Sequence, residues 1–508
     1  MIVIRHDRSM EYPSEVPFHP SESYPEYPFP KFLSESTNRV YSEIRKIFLD
    51  LGLDRKNFGS DQWNPLGHYI KSGSKVAIKP NWVWDPPYCF EIQESYMATV
   101  THSSIIRAII DYAYIAVGPN GRISVLDSPI EDANWKRMHT WTGFKEILHF
   151  YISSTKVPLE VIDLRDFRTL QSKDAIPLGP YRLGFSFRQS LQGDPRGYVT
   201  FDLGKESEFR NYTSEEYNHL RSPQKWTGKN VLRYHKLESH LYSISRTLLE
   251  SDMIINLPKL KHHKKAGVTL SLKAFIGATQ QKDSLPHFKT GCPPLGDEHP
   301  HPRSVRQKFL IALSNFGIAR TFGIAVNPKD SQKKRLPSHS VVIDTDLQDI
   351  RVGDWYGADT LWRTILDLNK IVLCGTINGE VKNTHQRRYL SIIDGIIGGE
   401  GQSPLHPTGV KCGLLLAGED PVALDTSATY LMGFDPQKIP SIRKSWTSEE
   451  IRGSDTPLNK VLVRFHGEDI NLDDFQKFLV KNPKLLSNFC PSVGWKGHIE
   501  LEDGISTK

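Results

Sequence analysis

Three stretches of this chain concentrate side chains capable of chemistry. The first, KVAIKPNWVWD over residues 75–85, ends an apolar strand pattern in Lys79, Pro80 and Asn81. Open α/β sheets bind ligands at the carboxyl ends of their strands, so Lys79 and Asn81 are candidate substrate-binding groups; a plain strand terminus with an exposed lysine is the alternative. The second, SDMIINLPKLKHHKKAGVTLSLKAFIG over residues 251–277, runs an apolar strand into Pro258 and then places Lys259, Lys261, His262, His263, Lys264 and Lys265 within seven positions. That density suits phosphate or carboxylate binding. Lys264 and Lys265 also fit a solvated face. Lys261 is a candidate anion ligand, and His263 a candidate general acid or base because imidazole titrates near neutral pH. Lys273 interrupts the apolar run VTLSLKAFIG. It must reach a partner or solvent, because burying an unpaired ammonium is costly and drags its pKa down, and it joins His263 as a catalytic candidate.

The third stretch is LSIIDGIIGGEGQSP over residues 390–404. Asp394 is expected at a strand end, with Glu400 in a glycine run whose backbone amides could approach a ligand. These two carboxylates would orient His263, exchange protons, or hold a hard divalent cation through oxygen ligands. A glycine turn with two solvated carboxylates is the bland alternative. The run matches neither GxGxxG nor GxxxxGK[ST], so neither a dinucleotide fingerprint nor a Walker loop is read. Thr101-His102 opens a helix whose amino terminus favours anions, which makes Thr101 a candidate substrate contact, and Asp127-Ser128 ends a strand that could meet it. His287, His299 and His301 fall in a proline-rich loop near residues 284–302 whose spacing fits no standard ligand pair; His287 joins Asp394 and Glu400 as a weak metal candidate. Cys412 reads as a small core residue.

These groups need elements to position them. Pro13, Pro17, Pro20, Pro25, Pro28 and Pro30, interleaved with Tyr and Phe, favour an extended amino-terminal arm packed along the body. Val40, Ile44, Ile47, Phe48 and Leu51 follow a helical stripe ended near Gly52. Strand-length apolar runs follow at Val76–Ile78, Ile123–Leu126, Leu159–Ile162, Met253–Leu257, Ile371–Leu373, Leu390–Ile393 and Gly413–Ala417. A helix is predicted from Thr101 to Val117, capped by Thr101 or Ser103, and another after the cap Asp420-Pro421. The alternation implies an α/β fold with a mostly parallel sheet covered by helices, in two lobes. RLGFSFRQS and GYVTFDLG alternate like antiparallel strands and read as an inserted hairpin or lid at about 180–240. The division read from this pattern is an arm and helix over 1–60, an α/β core over 61–440 and a carboxyl-terminal extension over 441–508.

With 508 residues, 38% hydrophobic and 24% charged, the chain can bury a full core, which excludes disordered, collagen-like and disulfide-scaffold classes. Its charge of +6, from 64 basic against 58 acidic residues, is too diffuse for a nucleic-acid-binding domain. The five cysteines lie at least 38 residues apart, so no zinc knuckle or ferredoxin-type run is present and no iron–sulfur cluster is expected. An odd cysteine count, no secretory h-region and no stretch of about 20 apolar residues lead to the expectation of a cytoplasmic protein without a membrane span.

The segments named above, in this order, resemble the family catalogued as domain of unknown function 362. The resemblance spans about residues 75–440 and rests on Lys79–Asn81, Thr101, Asn256–His263, Val268–Ala274, Asp394–Pro404 and Asp420–Pro436. Two positions depart from the family pattern: Ala274 stands where Asn usually follows the lysine, and His262 replaces a small residue. Many proteins of that family carry a ferredoxin-like module, implying redox work; here a redox step would need an external electron donor or partner, or an organic cofactor supplied from outside. The reading that results is an enzyme acting on a small anionic metabolite by Lys/His-assisted acid–base chemistry, of racemase, epimerase or lyase type. Its rivals are a non-catalytic carrier of a phosphorylated ligand or acidic partner, and an oxidoreductase with an external donor.

Overall fold

The structure is a computed structural model that describes residues 1–85, 93–155, 157–171, 176–178, 181–183, 186–223, 228–301 and 353–501. Cys89 lies outside them.

An eleven-stranded mixed sheet organises the chain. In chain order its strands are β1 (Ile2–His6), β2 (Lys75–Pro80), β3 (Arg122–Asp127), β4 (Leu159–Asp163), β5 (Met253–Leu257), β6 (Lys259–His263), β7 (Gly267–Thr269), β8 (Arg388–Glu400), β9 (Thr408–Gly418), β10 (Leu462–Phe465) and β11 (Glu468–Asn471). Across the sheet the order is β11-β10-β1-β9-β8-β5-β2-β3-β4, with β6 beside β8 and β7 beside β6. Six pairings are parallel and four antiparallel. The expectation of an α/β fold with a mostly parallel sheet holds. The two expected lobes take the form of one continuous sheet into which both chain ends are woven, since β1 pairs with β9 on one side and β10 on the other.

Helices cover the sheet: α1 (Arg39–Asp50), α2 (Ser103–Val117), α3 (Phe144–Ser154), α4 (Leu361–Cys374) and α5 (Pro421–Leu431). Helix α2 is buried almost throughout, and one core cluster joins its isoleucines to α1, β2, β3 and β5. The amino-terminal arm packs there too: Arg107 of α2 donates to the Pro17 carbonyl and the Tyr27 hydroxyl and pairs with Asp111 in full burial. Asp420 caps α5 as expected, accepting from the N–H groups of Val422 and Ala423. The cap of α2 is neither Thr101 nor Ser103 but His102, whose ring accepts from Ser104 N–H.

Two local expectations are corrected. Ile371–Leu373 is the last turn of α4 and not a strand; a short apolar run fits a buried helix as well as a buried strand. RLGFSFRQS and GYVTFDLG do not pair with each other. Residues 186–190 pair with 167–171, and residues 198–202 with 241–245, while a short hairpin joins 176–178 to 181–183. Alternation marks a half-buried strand but does not name its partner.

The winding reverses beside β2. From β2 the chain moves outward through α2, β3 and β4; β5 then returns on the other side of β2, parallel to it, with Asn256 opposite Lys79 and Leu257 opposite Pro80. Such a reversal opens a crevice at the carboxyl ends of the two strands. Those ends carry Lys79-Pro80-Asn81 and Pro258-Lys259.

Candidate functional site

Past Pro258 the chain continues as β6 along the second half of β8, with Lys259 opposite Asp394 and Lys261 opposite Gly399. This pairing explains why β8 is long and why Asp394 lies inside a strand instead of ending one. The Lys259 ammonium donates to Asp394 at 2.9 Å and to the Tyr12 hydroxyl at 2.7 Å; Tyr12 in turn donates to Asp394 at 2.6 Å, and His102 N–H donates to it at 2.9 Å. Lys259 and Asp394 are both completely buried. The anion that the start of α2 attracts is therefore the protein's own carboxylate. Asp394 does not orient His263 and has no open valence for a cation.

Glu400 accepts the N–H of Cys490 at 2.7 Å, and among the described residues it forms no bond with the basic cluster. The glycines before it serve close packing and not ligand approach: a side chain at Gly399 would press on the Ala98 carbonyl and on Lys261 Cβ. Thr101 is fully buried, accepting from Asn81 N–H at 2.9 Å and donating to the Leu257 carbonyl at 2.6 Å. It ties β2 to β5 and is not available as a substrate contact. His287 Nδ1–H donates to the Leu285 carbonyl and His299 Nδ1–H to that of Pro300. No group of three or more His, Cys, Asp or Glu suited to a metal exists among the described residues, so His287, Asp394 and Glu400 do not assemble a cation site there. Lys264 and Lys265 are not merely solvated: both pair with buried Asp354, at 2.9 and 2.8 Å.

The structure does bring together Lys79, Asn81, Lys261, His263 and Lys273. Lys79, buried, pairs with Asp127 at 2.7 Å and donates to the Pro80 carbonyl. Asp127 is held by the N–H groups of Trp82 and Ser128. Asn81 and Lys261 are bridged by the Thr99 carbonyl, which accepts from both, and Lys261 also reaches the Pro404 carbonyl. His263 Nδ1 accepts N–H bonds from Lys265 and Ala266, at 3.1 and 3.2 Å. That assigns the ring proton to Nε2. Burial, with Lys273 and Lys261 nearby, holds the ring far below its ordinary pKa. His263 is thus a neutral N–H donor at neutral pH, and not the titrating acid–base expected from its residue type.

Lys273 sits on a 3-10 turn, Leu272–Ala278, that crosses the strand ends. Asp425 of α5 accepts the N–H groups of Ser271 and Leu272 at 2.8 and 2.9 Å, while Asn256 and Asn369 donate to the carbonyls of Ser271 and Leu272. The turn also lies against β3, since Ser128 N–H donates to the Gly277 carbonyl. Its lysine is partly exposed and makes no hydrogen bond or ion pair among the described residues. Burial lowers Lys273 to about 8, aided by Lys79 and opposed by Asp127. Lys282, which sequence reasoning missed, joins the cluster and donates to the Ile276 carbonyl. Burial lowers it to about 7, against the pull of Asp127 and with help from Lys79 and Lys273. Nothing in its neighbourhood QQKDS marks it; only the fold places it here. Lys261 is driven down by burial and then by Lys273 and Lys259. His287 falls to about 3 by burial, with Lys265, Lys273 and Lys282 adding to it.

The protein is an α/β protein with a cluster of lysines at the switch point of its sheet. Over residues 206–430 it matches the family described as Domain of unknown function (DUF362). The resemblance read from the sequence is thereby supported for β5, β6, Lys273, β8 and most of α5; β2 with Lys79 lies outside the matched stretch. No curated protein matches the chain. A solved structure of a Thermotoga maritima protein is similar at 9% identity, covering 73% of this chain and 53% of that one, with a TM-score of 0.27. This chain thus spans about half the length of that protein, and a likeness so distant supports no argument; the fold stands on the chain's own sheet. No helix among the described residues is long and apolar enough to cross a membrane.

Proposed function

We propose that the protein is an enzyme acting on a small carboxylate- or phosphate-bearing metabolite in the crevice between the ends of β2 and β5. The observation that carries this reading is Lys273, an ammonium without an ion-pair partner among the described residues, set within the field of Lys79, Lys282, Lys261 and His263. Around it the carboxylate in reach is Asp127, already paired with Lys79. Uncompensated positive charge in a partly dry crevice is unfavourable until an anion enters. An ammonium has three N–H donors. Lys79 and Lys261 each use two on protein acceptors, which leaves each one donor for a ligand. Lys273, with a pKa near working pH, is the proton-transfer group, and the Nε2–H of His263 is placed to donate to a developing oxyanion.

Calorimetric titration with inorganic phosphate and with small mono- and dicarboxylates tests this. Lys273→Met is expected to weaken anion binding about tenfold or more, equivalent to about 1.4 kcal/mol. Equal affinity in both proteins, or no anion binding by the parent, overturns it. One observation favours a second reading, a non-catalytic anion carrier: Asp394 and Glu400 are both engaged elsewhere, so no carboxylate–histidine relay serves the crevice. In that case His263→Ala keeps affinity and neither protein shows turnover, whereas the enzyme reading requires retained binding with lost turnover.

A further inference from the structure

We propose that Lys273 is a nucleophilic lysine that forms an imine with the carbonyl carbon of a small 2-oxo acid whose carboxylate is held by Lys79 and Lys261. This rests on the anion-site reading above and adds a covalent step and a substrate class to it.

The geometry singles out this amine. Lys259 is locked between Asp394 and Tyr12, Lys79 on Asp127, Lys261 on two carbonyls, Lys282 on the Ile276 carbonyl, and Lys264 and Lys265 on Asp354. Lys273 alone in this cluster has no acceptor among the described residues, so no protein atom ties up its amine. Its backbone is fixed on both sides, through Asp425 and Asn369 at the start of the turn and through Gly277 and Ser128 at its end. A nucleophile needs that fixed placement. Desolvation beside a second cation is the recognised means of keeping a lysine amine free near neutral pH, and burial with Lys79 supplies both. The titratable and charged groups facing it are Lys79, Lys261, Lys282, Asp127, His263 and His287. Lys79, the cation that depresses the amine, and Lys261, itself in the field of Lys273, are the carboxylate anchors, so a ligand bearing a carboxylate next to a carbonyl satisfies both features at once.

The step balances without an oxidant or reductant. The free amine's lone pair forms a C–N bond to the carbonyl carbon while the C=O π pair moves to oxygen, which takes a proton; the nitrogen gives one up, leaving a carbinolamine. The hydroxyl then takes a proton from solvent, and the nitrogen lone pair forms C=N as the C–O bond breaks and water leaves, giving the protonated imine. Nε2–H of His263 is the neutral donor available to the oxygen.

The test is incubation of the full chain with pyruvate and sodium cyanoborohydride, read by intact mass and peptide mapping. The expected result is one reduced adduct per chain on Lys273, with a yield that rises as pH rises towards about 8 and falls when inorganic phosphate competes. Lys273→Arg, with an unchanged melting temperature, loses the adduct; Lys477→Arg, at an exposed lysine outside the cluster, keeps it. A parent that binds phosphate and yields no adduct overturns the imine alone. So does labelling that persists in Lys273→Arg, or that spreads over surface lysines indifferent to phosphate. A parent that binds neither phosphate nor pyruvate overturns the anion-site reading itself.

Discussion

Lys259 and Lys273 come from one basic segment and occupy opposite electrostatic situations. Lys259 is completely buried in a pair with Asp394. Removing one partner strands a buried charge, so Lys259→Met is expected to cost about 3–5 kcal/mol in urea unfolding, and Lys259→Met with Asp394→Leu to recover most of it. Removing Lys273 is expected to act the other way, because no carboxylate forms an ion pair with it among the described residues. Its folded pKa, about 8, lies below its ordinary value of 10.5, so the fold disfavours its charged form. That penalty is fully present below pH 8, shrinks as pH rises from about 8, and vanishes above 10.5. Lys273→Met is therefore expected to be more stable than the parent at pH 7, with the difference closing by about pH 10.5, while it loses anion affinity. The residue types of both lysines were legible in the sequence. Their fates were not, because the carboxylate that neutralises Lys259 lies 135 positions away and its hydroxyl partner Tyr12 lies 247 away.

At the scale of elements, local signals served well where the physics is local. The cap Asp420 and the isoleucine stripe of α2 were readable because helix ends and faces are set by residues within a few positions. Strand β8 was cut short at Asp394 because a glycine run reads as a turn, while its pairing with β6 and β9 keeps it extended. The Leu272–Ala278 turn was invisible within VTLSLKAFIG, since what fixes it is Asp425 on a distant helix. Asp425→Ala is expected to lower the melting temperature and to weaken anion binding several-fold without removing any ligand contact. Gly277 tests the other end. A Cβ there would fall on the Lys79–Asp127 pair, so Gly277→Ala is expected to disrupt that pair and reduce both stability and anion affinity, measured by thermal unfolding and calorimetry.

For the whole molecule, buried neutral histidines set the acid limit. His102, His139, His235 and His262 are each held to about 3 by burial. Unfolded, each would take a proton near its ordinary value of 6.5, so the unfolded state binds more protons between about 6.5 and 3, and stability falls with pH across that window. Urea midpoints should drop steadily over it, and His235→Gln should flatten the slope. The sheet itself predicts that deleting residues 1–9 removes an interior strand, exposes β9 and β10 as edges and gives aggregated protein, measured by light scattering. The sequence by itself determined the α/β class and the location of positive charge at strand ends, because periodicity, spacing and composition act over short range. Only the tertiary structure decided which of those charges are silenced and which stay open. Charge pairing depends on separations of a few ångströms between residues that the topology brings together from hundreds of positions apart, and in this fold it consumes Asp394 and Lys259 while leaving Lys273 facing the crevice.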